Sequence, residues 1–188
     1  KHLRERWGVE GDGPACLYVG RVAAEKNLAL VKKTFAAIQV WHPKAKMVWV
    51  GDGPSAKQLA VDHPDHHFAG MRTGEDLAAH YASADLFLFP SLTETYGNVV
   101  AEAMASGLPV IAYRSAAAAE LIAQQKNGMV ASPGDERGYV EGALWMLDEA
   151  ERLGEMAEAA RQTMLPRSWA GVVETFENVA REAMATQP

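Results

Sequence analysis

The feature that most constrains this chain is a repeated alternation. Six short, continuously apolar runs, at 15–20, 46–51, 66–70, 85–91, 109–114 and 128–132, are separated by stretches of helical spacing at 27–41, 55–61, 74–84, 98–106 and 116–125. Strand–helix–strand units in series predict a parallel sheet with helices on both faces. Leu86-Phe87-Leu88-Phe89 and Met47-Val48-Trp49-Val50 lack polar alternation, as central parallel strands do, because both their faces are covered. The expected fold class is therefore α/β, a doubly wound, Rossmann-like parallel sheet of about six strands. Residues 15–132 form the sheet core, and residues 135–188 supply C-terminal helices at 135–150, 151–165 and 168–185, the last two separated at Pro166. The length of 188 residues suits one such domain with a real core. In sheets of this kind ligands sit beyond the C-terminal ends of the strands, so the residues just after each run are the ones to examine.

The net charge of −6 argues against a general affinity for nucleic acid or for an anionic membrane, both of which require a basic face. An anionic ligand must then be held by a few placed cations or by backbone N–H groups. The single cysteine, Cys16, lies in an apolar run and reads as a buried, inert thiol, in keeping with a reducing cytoplasm. No stretch approaches the length of a membrane span. Residues 1–6 read as the tail of a helix with no initiator Met, so a longer protein is expected upstream.

Three constellations could carry chemistry. In the first, Gly20 ends a strand and Arg21 and Lys26 follow on the loop, with Asn27 in position to cap the next helix. A guanidinium fork and an ammonium on one strand-to-helix loop suit a diphosphate; the alternative is a pair of solvated charges, one of them neutralised by Glu25. The second, Gly51-Asp52-Gly53-Pro54-Ser55-Ala56, fits Gly-x-Gly-x-x-Ala after a strand. As a dinucleotide fingerprint it is weak. It follows the second strand, carries a Pro, and is followed about 20 residues on by Met71 and Arg72 where an acid would be expected. Gly51 and Gly53 could still let the backbone approach some ligand. The third runs from Pro90 to Pro109. A loop bearing Glu94, Thr95 and Tyr96 leads to a helix that opens near Gly97, Asn98 and Val99 and stops at Gly107. The helix start offers an anion site. Glu94 and Glu102 flank it, and carboxylates beside phosphate must face something else, such as sugar hydroxyls. Equally open at this point is that Glu102 points to water and Glu94 caps the helix. The histidines show no metal pattern: His63, His66 and His67, with Asp62 and Asp65 near, read as a solvated loop.

These residues resemble a known family. Gly20-Arg21 with Lys26-Asn27, the strand followed by Gly51-Asp52-Gly53-Pro54, and above all 89–98 running into 102–110 are similar to the C-terminal domain of family 4 retaining glycosyltransferases with the GT-B fold, in the bacterial mannosyl- and hexosyltransferase group. The likeness covers about residues 17–147, and two glutamates with seven residues between them, here Glu94 and Glu102, are its hallmark. The resemblance implies that Arg21 and Lys26 hold the donor diphosphate and that Glu94 contacts the donor sugar. It further implies that backbone N–H groups from Thr95 to Val99 meet sugar and phosphate, that Glu102 holds the ribose diol, and that Met71 and Arg72 lie beside the base. It implies a hexose transferred with retention from a GDP-, UDP- or ADP-linked sugar, with no cofactor and no metal. The partners implied are the nucleotide sugar and an N-terminal acceptor domain that is absent here, with no nucleic acid and with membrane contact only through that domain, at the inner face. Residues 168–176 are similar to the family's terminal helix. One departure concerns 115–119, Ser-Ala-Ala-Ala-Ala, where relatives commonly carry Gly-Gly. Two other classes remain as alternatives: an NAD-dependent oxidoreductase domain resting on the Gly51 loop, and a non-enzymatic interaction module of the same architecture.

Overall fold

The computed structural model describes residues 2–93 and 97–167. The expected helix at 168–185 and the residues Glu94, Thr95 and Tyr96 lie outside the described residues. Six strands, β1 (Ala15–Val19), β2 (Lys46–Val50), β3 (His67–Gly70), β4 (Leu86–Phe89), β5 (Val110–Tyr113) and β6 (Gly128–Ala131), form one sheet in the order 3-2-1-4-5-6. Every pairing is parallel. Each apolar run of the sequence lies on one of these strands. β1, β4 and β5 are buried along their whole length, which is what an apolar run without alternation requires.

Eight helices accompany the described part of the sheet: α1 (His2–Arg6), α2 (Leu28–Trp41), α3 (Ala56–Asp62), α4 (Gly74–Ser83), α5 (Asn98–Ala105), α6 (Ala116–Leu121), α7 (Glu136–Leu147) and α8 (Ala150–Met164). Helices cover both faces of the sheet. α2 packs with α7 on one side, while α1, α4, α5 and α8 pack in succession on the other. Tyr139 fastens α7 to the sheet, its buried hydroxyl donating to the Ile111 carbonyl at 3.0 Å. The short α1, read as a helix tail, is tied to the sheet by Arg4. Its guanidinium reaches Asp85 Oδ2 at 2.6 Å, the Ser83 carbonyl at 3.1 Å and the Gly13 carbonyl at 3.1 Å. The same Asp85 oxygen accepts from the Ala15 N–H at 2.7 Å, so one carboxylate joins α1 to the starts of β1 and β4.

Three expectations are corrected. The helix expected at 116–125 ends at Leu121. The buried Asn127 side chain donates to the Leu121 carbonyl at 3.1 Å and accepts from the Ala123 N–H at 2.8 Å, satisfying the helix end early. Asn27 stands at the N-cap of α2 but in the left-handed region at φ 55, with no side-chain cap bond; its amide donates instead to the Pro90 carbonyl at 3.4 Å. The histidines are not a solvated loop. His66 stacks on His63 with centroids 4.6 Å apart, meets the edge of Phe35 at 5.0 Å and accepts from the Trp49 indole at 3.1 Å. Burial lowers its pKa to about 4, with Asp65 opposing the shift. No helix among the described residues is long and apolar enough to cross a membrane.

Candidate functional site

The strand order reverses between β1 and β4. The chain leaves β1 toward β2 on one side and leaves β4 toward β5 on the other, so the two loops diverge and open a crevice at the C-terminal rim. Gly20, Arg21, Lys26 and Val99, four of the expected site residues, line one cavity of about 490 Å³ there, together with Tyr18, Glu25, Phe89 and Thr93. Two hydrogen bonds link the loops around it: the one from Asn27 to Pro90, and one from Thr93 Oγ1 to the Glu25 carbonyl at 3.4 Å. Tyr18 pins the first loop from below, its hydroxyl donating to the Arg21 carbonyl at 2.9 Å.

Arg21 pairs with Glu25 at 3.1 Å, the two side chains 65% and 47% exposed. An exposed pair four residues apart contributes only about 0.3–0.5 kcal/mol, so it holds the guanidinium weakly. Across the crevice α5 opens at Gly97, φ 84, with no side-chain cap, leaving the first N–H groups at Asn98 and Val99 directed along the helix start. Ser91, 2% exposed, sits between the end of β4 and this helix, its hydroxyl without a partner among the described residues.

Glu102 lies on α5 three residues beyond Val99, on the same side of the helix. It is exposed and does not line the cavity. One carboxylate oxygen, Oε2, accepts from the Tyr81 hydroxyl at 3.0 Å. The carboxylate is thus neither buried without a partner nor loose in water. Burial and the adjacent Glu102 charge push the Tyr81 phenol well above its ordinary range.

Gly51 and Gly53 serve a purpose that spacing did not reveal. A methyl group at Gly51, φ 126, would collide with the Gly20 carbonyl, and one at Gly53 with the Val22 carbonyl. Val22 N–H donates to the Asp52 carbonyl at 2.9 Å and Ser55 N–H to the Val22 carbonyl at 3.0 Å. The close approach these glycines permit is to the loop after β1, which accounts for both of them without a dinucleotide fingerprint. Met71 and Arg72 stand at the end of the edge strand β3. Met71 is 68% exposed. Arg72 turns back on its own turn, donating to the Ala69 carbonyl at 2.6 Å and to Asp76 at 3.2 Å. The neighbouring Gly70 and Gly74 have open space beside them.

The segment after β5 places Ala116 at φ 44. An L-residue in this region is strained by about 1–2 kcal/mol, and glycine returns about 0.4–1 kcal/mol of that through the unfolded chain. Ala116→Gly is therefore expected to raise stability by about 0.5–1 kcal/mol in urea unfolding; a loss of stability refutes the strain.

Among the described residues one group gathers three potential metal ligands, His63, Asp65 and His66, with ligand atoms within 4.8 Å of one another. It lies before β3, at the opposite end of the strands from the crevice. The Trp49 indole donates to His66 Nδ1, so the neutral ring carries its proton on Nε2 and presents no lone pair to an ion. Cys16 is buried, and burial with the Asp85 charge pushes its thiol far up, which bears out an inert thiol. Tyr18, Thr93 and Tyr81 escaped the sequence reading. Tyr18 had a faint signal, two residues before Gly20 on the same strand face; Tyr81 had none, since its partner is on another helix.

The reversed strand order with a crevice at the switch point defines a Rossmann-like nucleotide-binding architecture. The chain belongs to the glycosyl transferases group 1 family, which residues 13–149 match. The GDP-mannose-dependent alpha-mannosyltransferase of Corynebacterium glutamicum is 35% identical over 168 residues, covering 89% of this chain and 39% of that protein. Sulfoquinovosyl transferase SQD2 of Arabidopsis thaliana is 33% identical over 175 residues, covering 90% of this chain and 33% of that protein. The chain thus spans between a third and two fifths of the length of these curated relatives. The crystal structure of Anabaena HepE in complex with UDP superposes with a TM-score of 0.76 at 22% identity, over 98% of this chain and 52% of that one, a likeness of fold.

Proposed function

We propose that this chain is the donor-binding half of a retaining, metal-independent glycosyltransferase that moves a hexose from a GDP-, UDP- or ADP-linked sugar to an acceptor held by a second, N-terminal domain. The observation that carries the reading is the cavity at the switch point, walled by Arg21 and Lys26 on one loop and by the start of α5 on the other. The family supports it, as do a relative named for GDP-mannose and a neighbour of the same fold solved with UDP.

In this reading Arg21 and Lys26 hold the diphosphate, and the N–H groups from 95 to 99 meet the distal phosphate and the sugar. Glu94 takes sugar hydroxyls, Glu102 the ribose diol, and the Met71–Arg72 turn flanks the base. Gly51 and Gly53 act indirectly, by letting the second loop brace the first. Catalysis requires charge to be stabilised on the departing diphosphate. Fixed cations and helix-terminal amides supply this without reorganisation, so neither a cofactor nor a metal is part of the proposal. A cytoplasmic setting, with membrane contact only through the acceptor domain, completes it.

Titration calorimetry of the 188-residue chain with UDP, GDP and ADP tests this. At least one should bind; silence from all three at millimolar concentration sinks the proposal. Arg21→Ala should reduce the preference for diphosphate over plain nucleoside by about tenfold, the size of one charge-assisted hydrogen-bond pair. An undiminished preference removes Arg21 from the phosphate site.

A further inference from the structure

We propose that Tyr81 is a positioning residue for the Glu102 carboxylate, and that through it the domain discriminates nucleoside diphosphates with an intact ribose diol from those without one. The inference rests on the reading of Glu102 given above. A glutamate on the exposed side of a helix ordinarily samples several rotamers, and a diol receptor that samples rotamers must be ordered each time it binds. Glu102 is different. Its Oε2 is held at 3.0 Å by the hydroxyl of Tyr81, a side chain 1% exposed on the neighbouring α4.

The Tyr81 ring has no freedom of its own. It meets Phe87 of β4 edge-on, centroids 5.8 Å apart at 77°, and Phe87 stacks on Phe89 at 5.5 Å. Phe89 in turn lines the cavity of Arg21 and Lys26. The carboxylate is therefore indexed, through three aromatic rings, to the strand that ends at the cavity. Tyr81 occupies one of about four lone-pair sites on the carboxylate, and no other side chain among the described residues reaches it. The rest of Oε2 and all of Oε1 remain for two hydroxyl donors. The buried phenol keeps its proton, so it always donates and never repels the carboxylate.

The test pairs UDP, GDP and ADP each with its 2′,3′-dideoxy counterpart and measures both affinities for the 188-residue chain. Wild type should favour the ribo form by about tenfold or more, two hydroxyls donating to a charged acceptor. Tyr81→Phe should shrink that ratio by about three- to fivefold while leaving the dideoxy affinity and the far-UV spectrum unchanged. A packing role alone would weaken both ligands equally, and that result, or an intact ratio, overturns the inference. Glu102→Ala separates the two levels. If it preserves the ratio, the ribose role of Glu102 fails and the inference with it; if it abolishes the ratio while Tyr81→Phe does not, only Tyr81 is wrong. Should Tyr81→Phe not fold, wild type labelled at tyrosine Cζ answers instead: the Tyr81 resonance must move with the ribo ligand and not with the dideoxy one, and equal shifts refute the proposal.

Discussion

Gly51→Ala is expected to lose about 3–5 kcal/mol of folding stability, which brings a domain of ordinary stability close to unfolding. Two penalties combine. At φ 126 the backbone is one that a side chain rarely tolerates, and the new methyl is driven into the Gly20 carbonyl, a backbone atom that cannot swing away. Gly70 supplies the control. It too has a positive φ, 71, but nothing lies within 4 Å of its missing side chain, so Gly70→Ala should cost only the conformational part, about 1 kcal/mol. Denaturant unfolding of the two variants side by side measures the difference. Equal losses would show that the contact between the loops after β1 and β2 is not tight. Any Gly51→Ala protein that does fold should have its Gly20–Lys26 loop displaced, and with it the affinity for nucleoside diphosphates.

The second large effect is expected at Asp85, which serves no ligand. Removing its carboxylate by Asp85→Ala strands the N–H of Ala15, a residue fully buried, and leaves the Arg4 guanidinium short of its anion. A stranded buried N–H costs about 1–3 kcal/mol. The ion pair, with side chains 30% and 29% exposed, adds less than a fully buried one, so about 3–4 kcal/mol in total is expected. Asp85→Asn keeps an acceptor for Ala15 and should lose roughly half of that. Arg4→Met should cost less than Asp85→Ala, because it leaves no buried backbone group unpaired. If urea unfolding ranks Arg4→Met as the more damaging, the Ala15 hydrogen bond is not what makes Asp85 matter.

The strands were legible because a buried parallel strand leaves an unbroken apolar run with a turn residue at its end: the run at 85–91 contains β4, Leu86–Phe89, and the run at 128–132 contains β6, Gly128–Ala131. What failed to show were side chains acting at long range. Asn27 has the composition of a cap, yet its partner is a carbonyl 63 residues away. The end of α6 is set by Asn127, six residues past the carbonyl it satisfies. Gly51 and Gly53 were conspicuous as a pattern, but their reason is another loop, some thirty residues earlier in the chain. At the site, the loop cations and the start of α5 followed from position after a strand, and they do share one cavity. Tyr81 could not be found this way, because a tyrosine facing a glutamate across two helices leaves no spacing to read.

The glycines along the rim differ in one respect that bears on how such a domain could change its diet. Those of the second loop are wedged against backbone, whereas Gly70 and Gly74 border empty space. Under the proposed assignment, the phosphate end of a donor meets masonry and the base end meets a turn with clearance. Insertions and exchanges between 70 and 74 can then retool the choice of base while the grip on the diphosphate is inherited intact.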